Sequence, residues 1–277
     1  MEFDYVIVGA GSAGCVLANR LSASGKYKVA ILEAGGKDTY PWIHVPVGYF
    51  KTMGNPKTDW SYQTENDPGL NGRSLVWPRG KVLGGSSSIN GLLYVRGQAQ
   101  DYDAWRQLGN PGWSWDDVLP LFMRSEGYDG GDDKVRGRSG PLSVADSVID
   151  REIIDRWKDA AVSAGYKYNP DYNGVDQEGV SQFQLTMRNG RRCSSAVAYL
   201  NPAKARSNLT VLTRCAAKKL TFEGKRATGV VVDYQGREQT ISANKEVILA
   251  AGALASPQLL MVSGVGAVDE IVCSRPW

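Results

Sequence analysis

The sequence predicts an α/β fold built around a parallel sheet. Two short apolar runs, at residues 5–8 and 28–32, have the length and composition of strands that are buried on both faces. Between them, residues 14–24 carry apolar side chains at helical spacing. Strand, helix and strand within about 30 residues make a βαβ unit, whose crossover sets the two strands in parallel.

The composition is that of an ordinary globular protein, and it argues against several classes of function. The 277 residues include 42% hydrophobic and 22% charged residues, and the formal net charge is +3. The basic residues are spread along the chain, so we expect no nucleic-acid partner. Four cysteines without a CxxC pair, together with a single histidine, argue against a metal site.

The sequence also bears on location. Glu2 and Asp4 stand at the start of the chain without a basic segment, so we expect no signal peptide. No run approaches the ~18 apolar residues of a membrane span, and the cysteine usage suits a reducing compartment. We therefore expect a cytoplasmic protein without a transmembrane segment, and peripheral association with the inner membrane is the alternative.

The first motif is a dinucleotide-binding turn. Residues 9–14, Gly-Ala-Gly-Ser-Ala-Gly, form a GxGxxG pattern between the first strand and the helix. Gly9 permits the tight turn, Gly11 lets a pyrophosphate approach the backbone, and Gly14 lets the helix pack closely on the strand. Glu33 ends the second strand, where a carboxylate accepts hydrogen bonds from ribose hydroxyls and repels a 2′-phosphate. This motif alone leaves NAD and FAD open.

A second glycine-serine turn favours FAD. Residues 80–90, Gly-Lys-Val-Leu-Gly-Gly-Ser-Ser-Ser-Ile-Asn, predict another turn, which opens a helix that continues to Arg96. One such turn suffices for a pyrophosphate, so a second indicates a longer cofactor, such as one with an isoalloxazine ring. For each of Ser86, Ser87 and Ser88, a helix N-cap and a direct flavin contact stay equally open.

The remaining pattern predicts an interrupted cofactor domain. Residues 1–149 form its first part and include an irregular arm or lid at 36–78. Residues 150–205 form part of a substrate domain, with helices at 149–164 and 194–200, the second stopped by Pro202. Residues 206–277 continue the cofactor domain with a strand at 209–212, a hairpin of two strands at 227–234 and 239–242 that turns at 235–236, a buried parallel strand at 246–250 and a helix at 256–262.

The motifs together resemble the glucose-methanol-choline (GMC) oxidoreductase family. Residues 80–103 resemble its first signature and residues 252–266 its second. With the GxGxxG turn and Glu33, three ordered motifs span residues 9–266, and the likeness is strongest to the bacterial choline and alcohol dehydrogenases. Flavoproteins of the pyridine nucleotide-disulfide class carry a redox cysteine pair on the early helix, and this sequence has none there. Flavin hydroxylases and amine oxidases share the first turn and the acid but not the two signatures.

The resemblance implies a Rossmann-like FAD-binding domain of the GMC type, interrupted by part of a substrate-binding domain. It places Val82 and residues 90–93 beside the flavin and its linker, and Ala217 against the adenine. Some members bind FAD covalently through a histidine where this sequence has Ile89, so we expect non-covalent FAD. The residues assigned to the cofactor are Gly9, Gly11, Ser12, Ala13, Gly14, Glu33, Ala34, Val82, Gly84, Gly85, Asn90, Gly91, Leu92, Leu93 and Ala217.

The resemblance also implies oxidation of a small-molecule alcohol, with electrons passed to a quinone-like acceptor or to O₂. Such chemistry needs a base near neutral pH, and in the family this histidine lies far toward the C-terminus of chains roughly twice as long. The only histidine is His44, in the irregular arm, and residues 272–277 do not continue the family pattern. We therefore expect a truncated or frameshifted chain, or a fragment, without catalytic residues and with little activity of its own. The alternatives are an oxidase, a lyase or photochemical decarboxylase on the same scaffold, and a non-catalytic FAD-binding remnant.

Overall fold

The computed structural model describes residues 1–267, which divide into two compact units. The first comprises residues 1–91 and 194–267, and the second comprises residues 92–193. These bounds differ from the predicted domain bounds at 149/150 and 205/206, and the roles of the two units stay predictions. The departure from the family pattern at 272–277 lies outside the described residues.

Among the described residues, six strands form one sheet, and the other six are two-residue strands that pair two by two. They are β1 (Glu2–Val8), β2 (Val29–Glu33), β3 (Tyr62–Gln63), β4 (Val76–Trp77), β5 (Glu126–Gly127), β6 (Leu142–Ser143), β7 (Met187–Arg188), β8 (Arg191–Arg192), β9 (Leu209–Thr213), β10 (Cys215–Glu223), β11 (Arg226–Tyr234) and β12 (Arg237–Leu249).

The helices include five of nine to twelve residues and three single turns. They are α1 (Ser12–Ser22), α2 (Pro41–His44), α3 (Tyr49–Thr52), α4 (Ala99–Gln107), α5 (Trp115–Ser125), α6 (Glu152–Ser163), α7 (Asn201–Ala203) and α8 (Gly252–Val262).

The first unit is organised by a six-stranded sheet with the order β10-β11-β12-β1-β2-β9. Strands β12, β1, β2 and β9 run parallel, which confirms the predicted βαβ unit and the α/β fold. The predicted hairpin is β11–β12, turning at Gln235 and Gly236. Val6, Ile7 and Ile31 are fully buried, as expected for strands that are covered on both faces.

Strand β12 corrects two expectations. A short strand at 239–242 and a separate strand at 246–250 were predicted, but residues 237–249 form one continuous strand. Its first half pairs antiparallel with β11 and its second half pairs parallel with β1. Val247, Ile248 and Leu249 are only partly buried, so the predicted full burial of this stretch is wrong.

The predicted helix at 84–96 is also wrong. Only residues 85–88 turn, as one short 3₁₀ segment, and the chain is not helical again until α4. Gly84 and Leu92 have φ of +90° and +66°, and both values lie in the left-handed region that a right-handed helix cannot contain.

The prediction that Pro202 stops the helix at 194–200 is wrong as well. Pro202 lies in the first turn of α7, where its missing N–H is not needed.

The second unit contains α4, α5 and α6 and a buried ionic cluster. α5 begins after an N-cap serine, where the Ser114 hydroxyl accepts a hydrogen bond from the Asp117 N–H. The carboxylate of Glu126 is fully buried and binds the guanidinium groups of Arg96 and Arg136 at 2.8 Å and 2.7 Å. Arg136 also binds Asp171. The four charges balance within this unit, so each buried ion has a partner of opposite sign.

Candidate cofactor site

A cleft of about 860 Å³ opens in the first unit, beyond the carboxyl ends of β1, β2 and β12. Val8, Glu33 and Leu249 end these strands and line it. The first turns of α1 and α8 supply further lining residues. Ligands of open α/β sheets bind at this edge, where loops and helix N-termini meet.

The three glycines of the first turn have different neighbours. A Cβ at Gly14 would lie 1.9 Å from the Gly9 carbonyl oxygen, and a Cβ at Gly9 would lie 2.5 Å from the Ala250 oxygen. Both positions therefore need glycine for packing within the protein. A Cβ at Gly11 would come no closer than 3.9 Å to any other atom, although Gly11 lines the cleft. The protein has room for a side chain there, and only a ligand in the cleft would meet it.

Glu33 lies at the cleft wall as a buried carboxylate. Its Oε2 accepts a hydrogen bond from the Ala10 N–H at 3.1 Å, and its Oε1 accepts one from the Gly35 N–H at 2.9 Å. Burial raises the pKa of this carboxyl to about 7, although both N–H groups and the charge of Lys81 act in the opposite direction. Each oxygen keeps acceptor capacity for a ligand hydroxyl.

The second turn packs directly on the first. The Gly84 N–H donates to the Ala10 carbonyl at 2.7 Å. A Cβ at Gly85, whose φ is +54°, would lie 2.7 Å from the Gly11 Cα. The structure thus brings together two glycine turns that are about 70 residues apart in sequence, with Gly85 and Gly11 both at the cleft.

The three serines of this turn make hydrogen bonds within the protein. Ser86 Oγ accepts from the Gly80 N–H at 3.1 Å, and Ser88 Oγ donates to the Leu83 carbonyl at 2.7 Å. Ser87 Oγ donates to the Gly84 carbonyl at 2.6 Å and accepts from the Ser195 N–H at 3.0 Å. None of the three caps a long helix, because no long helix follows. Each hydroxyl instead holds the turn closed.

The predicted cofactor residues fall into two groups. Those that line the cleft are Gly9, Gly11, Ser12, Ala13, Glu33, Ala34, Gly85 and Ala217. The others do not line it: Gly14 is buried, and Val82 is buried with Ile43 and Ile89. Gly84, Asn90 and Gly91 also lie outside the lining, and Leu92 and Leu93 belong to the second unit.

The cleft has lining residues that sequence reasoning missed. Trp60, Tyr62 and Arg79 form one wall, in which the Trp60 and Tyr62 rings stack with centroids 5.9 Å apart. The Lys81 ammonium lies 4.4 Å from the Trp60 ring centroid. Trp60 and Tyr62 come from the irregular arm, where no periodicity predicts which side chains point inward, and Arg79 and Lys81 follow directly after the arm. The first turn of α8, residues 252–256, was part of a recognised signature but was not assigned to the site.

The described part of the chain offers few other reactive groups. His44 does not line the cleft, and its Nε2 lies 2.7 Å from the Asp38 carbonyl oxygen. Cys215 lines the cleft, but burial raises the pKa of its thiol to about 11, so it stays protonated at neutral pH. Within residues 1–267, no cluster of metal-ligating side chains occurs and no helix is long and apolar enough to cross a membrane.

Comparison with known proteins gives one family. A family profile described as GMC oxidoreductase matches residues 3–274. Proteins named oxygen-dependent choline dehydrogenase are 46% identical to the chain in Brucella anthropi, over 100% of the chain and 51% of the relative. In Sinorhizobium fredii the identity is 46%, over 96% and 48%. The chain therefore spans about half the length of the curated relatives it matches.

Solved structures show the same likeness. The pyridoxine 4-oxidase from Mesorbium loti superposes with a TM-score of 0.93 at 36% identity, covering 97% of this chain and 53% of the other. A formate oxidase from Aspergillus oryzae superposes with a TM-score of 0.87 at 29% identity, covering 98% and 49%.

Proposed function

Because the chain belongs to the GMC oxidoreductase family, we propose that its cleft binds FAD non-covalently and serves oxidation of the CH–OH group of an alcohol. The observation that carries the proposal is the cleft itself. Two interlocked glycine turns and the buried Glu33 carboxylate lie together beyond the carboxyl ends of parallel strands. The choline dehydrogenase relatives make a choline-like alcohol the first substrate to test.

The residues of the cleft fit a dinucleotide. Gly11 is not needed for packing, yet a side chain there would reach into the cleft. The first turn of α1 carries no acidic residue, and no side chain caps its N–H groups. These N–H groups are therefore available to an anion. Glu33 lines the same cleft, and its Oε2 accepts a hydrogen bond from the Ala10 N–H within this turn. An anionic diphosphate and a hydroxyl-bearing ribose match these two features.

The proposed contacts follow the order of the cofactor. Residues 9–14 would hold the pyrophosphate, Glu33 and Ala34 the adenosine ribose, and Ala217 the adenine. The remaining assigned residues would approach the flavin and its linker through main-chain groups: Val82, Gly84, Gly85, Asn90, Gly91, Leu92 and Leu93. Ile89 is fully buried and offers no nucleophile, which supports non-covalent attachment.

The chemistry needs a hydride acceptor and a base. Bound FAD supplies the hydride acceptor. The hydroxyl proton of the alcohol needs a base, and the chain's one histidine is bonded to a main-chain carbonyl away from the cleft lining. We therefore assign no catalytic residue, and we propose that the 277-residue chain alone binds FAD without useful turnover.

The electron acceptor has two candidates. The relatives named oxygen-dependent choline dehydrogenase and the structures named oxidase favour O₂. A quinone-like acceptor is the alternative, by resemblance to the dehydrogenase branch. Anaerobic reduction of the FAD-loaded protein, followed by addition of O₂ or a quinone analogue, would separate the two.

The test of the proposal is reconstitution of the 277-residue chain with FAD. We expect a flavin spectrum on the protein after gel filtration and yellow flavin in the supernatant after acid precipitation. Anaerobic mixing with choline and a panel of primary alcohols should leave the flavin oxidised. A flavin that stays with the precipitate would contradict non-covalent binding. Turnover would contradict the assignment of no base and would direct attention to His44.

A further inference from the structure

Trp60 and Tyr62 form a paired aromatic surface inside the cleft, which we call the aromatic wall. Their rings are nearly parallel, with 6° between the planes and 5.9 Å between the centroids. Both rings line the same cleft as Glu33 and Gly11. Ligand sites are commonly lined by aromatic side chains together with a few well-placed polar groups. The wall therefore has the character of a binding surface.

The backbone between the two rings is strained. Ser61 has φ of +54°, which lies in the left-handed region that residues other than glycine seldom adopt. Such a conformation persists only where the surrounding contacts hold it, and strain of this kind is concentrated at sites that bind ligands or react. The strain at Ser61 thus also indicates a function for the wall.

Asp59 supplies the contacts that hold the wall. Its carboxylate is buried. Its Oδ1 accepts hydrogen bonds from the Ser61 N–H and the Arg79 N–H, both at 2.9 Å, and its Oδ2 accepts one from the Gly54 N–H at 2.7 Å. One side chain therefore supports the strained residue and joins the arm to the segment that follows it. Asp59 does not line the cleft, so it would act on a ligand only through the wall.

Lys81 places the wall near Glu33. The Lys81 ammonium lies 4.4 Å from the centroid of the Trp60 ring, and its positive charge lowers the pKa of the Glu33 carboxyl against the larger effect of burial. The main chain shows the same proximity, because a Cβ at Gly35 would lie 1.8 Å from the Lys81 carbonyl oxygen. Lys81 is thus close both to the wall and to the carboxylate that we assign to the ribose.

A chain of close contacts also leads from the wall to the first glycine turn. The Trp60 N–H donates to the Arg79 carbonyl at 2.9 Å. The next residue, Gly80, packs on the second turn, since a Cβ there would lie 2.1 Å from the Gly85 carbonyl carbon. A Cβ at Gly85 would in turn lie 2.7 Å from the Gly11 Cα. The wall therefore borders the part of the cleft between Glu33 and the first turn.

We propose that the aromatic wall binds the ribose–diphosphate segment of the dinucleotide, and that Asp59 is the positioning residue that holds the wall in place. This inference rests on the proposed binding of FAD. The two rings would cover the hydrogen bonds between the ribose hydroxyls and Glu33 and exclude water from them. Hydrogen bonds to a charged group are stronger where water is excluded.

The test is fluorescence titration of the 277-residue chain and its variants with FAD. Trp60→Ala and Asp59→Ala should each raise the dissociation constant at least about five-fold, since truncating a tryptophan that excludes water from a contact costs this much or more. The matched controls are Trp42→Ala and Asp67→Ala, which should bind FAD as the wild type does. Trp42 lies in the same arm but does not line the cleft. The Asp67 carboxylate also accepts a main-chain hydrogen bond within the arm, from the Gly69 N–H.

A second variant separates the positioning role of Asp59 from its effect on stability. Asp59→Ala also deprives three main-chain N–H groups of their acceptor, so we expect its urea unfolding midpoint to fall. Adding Ser61→Gly should recover part of the lost FAD affinity, because glycine adopts left-handed angles without support from a side chain. The unfolding midpoint should stay low, since two of the three hydrogen bonds hold other residues. No recovery of affinity would overturn the positioning role, whatever the midpoint.

A double-mutant cycle with Glu33 locates the wall on the cofactor. If Trp60 covers the hydrogen bonds between Glu33 and the ribose, Glu33→Ala should cost at least about two-fold less affinity in Trp60→Ala than in the wild type. Additive losses would place the wall against another part of the cofactor and overturn the inference. FAD binding that Trp60→Ala leaves unchanged would overturn this inference alone, whereas a wild type that binds no FAD would overturn the proposed function and this inference with it.

Discussion

Replacing Gly11 and Gly14 separately by alanine distinguishes a glycine that a ligand requires from one that the protein requires. At Gly14 the new Cβ would lie 1.9 Å from the Gly9 carbonyl oxygen, where a separation of at least 3.0 Å is needed. The first turn of α1 must move by more than about 1 Å, and such overpacking costs about 3 kcal/mol at the upper end of its usual range. We expect the midpoint of thermal unfolding of Gly14→Ala to fall by roughly 10 °C.

Gly11→Ala should behave in the opposite way. The nearest atoms would be 3.9 Å and 4.0 Å away, and the Gly11 φ of −81° suits any residue. We expect the unfolding free energy of this variant to lie within about 1 kcal/mol of the wild-type value. Alanine is a poorer N-cap than glycine, but it also lowers the entropy of the unfolded chain, and the two effects oppose each other. A methyl group between backbone and diphosphate would displace a charge-assisted hydrogen bond of about 1.5–3 kcal/mol. The FAD dissociation constant should therefore rise by roughly 10- to 150-fold.

Urea unfolding of the FAD-free proteins and fluorescence titration with FAD measure the two quantities. Gly36→Ala is the matched control, since a Cβ there would meet nothing within 4 Å and Gly36 does not line the cleft. If Gly11→Ala binds FAD with the wild-type dissociation constant, the pyrophosphate does not approach this turn. If Gly11→Ala and Gly14→Ala lose equal stability, the packing argument that separates them is wrong.

Three further predictions follow from the same contacts. In the folded FAD-free protein, burial raises the pKa of the Glu33 carboxyl from 4.5 to about 7. The contribution of this group to the free energy of unfolding, about 3 kcal/mol, is therefore complete below about pH 4.5 and is lost as the pH rises through 7. Urea unfolding from about pH 5 to about pH 8 should show this decline in wild type and a smaller one in Glu33→Gln; parallel curves would contradict it. Glu33→Ala should weaken FAD binding by about 1.5–3 kcal/mol in calorimetric titration, because it removes charged acceptors from the ribose hydroxyls. An unchanged affinity would mean that the ribose lies elsewhere. Arg136→Met should lower the unfolding free energy by about 3–5 kcal/mol, because it leaves the buried Glu126 carboxylate short of a partner. Arg156→Met, in an exposed ion pair with Glu152, is its control and should cost less than about 1 kcal/mol.

Much of the candidate cofactor site could be predicted because its signals are local. The first predicted strand, the GxGxxG turn and Glu33 at the end of the next strand lie within 29 consecutive residues, 5–33, whose spacing alone predicts a βαβ unit. The β11–β12 hairpin was predicted for the same reason, because its turn and alternating residues are adjacent in sequence. Eight of the assigned cofactor residues line the cleft in the structure.

The wrong predictions of secondary structure occur where residues distant in sequence determine the local structure. The helix predicted at 84–96 does not form, because Gly84 and Leu92 adopt left-handed backbone angles. The Gly84 N–H is held instead by the carbonyl of Ala10, which lies 74 positions earlier in the chain. Residues 237–249 form one strand because its first half pairs with β11 and its second half pairs with β1. The residues of β11 and β1 that pair near the middle of this strand are not its neighbours in sequence.

The sequence by itself determined the βαβ unit, the order of the motifs and the family. Tertiary structure alone decided how much space surrounds each glycine, since a Cβ at Gly9 or Gly14 would meet protein atoms and a Cβ at Gly11 would not. It also decided the pKa of Glu33, because desolvation depends on everything that packs around a carboxylate. The physical reason is the same in each case. Backbone preference and periodicity act over a few residues, whereas close contact and burial depend on chain segments that only folding brings together.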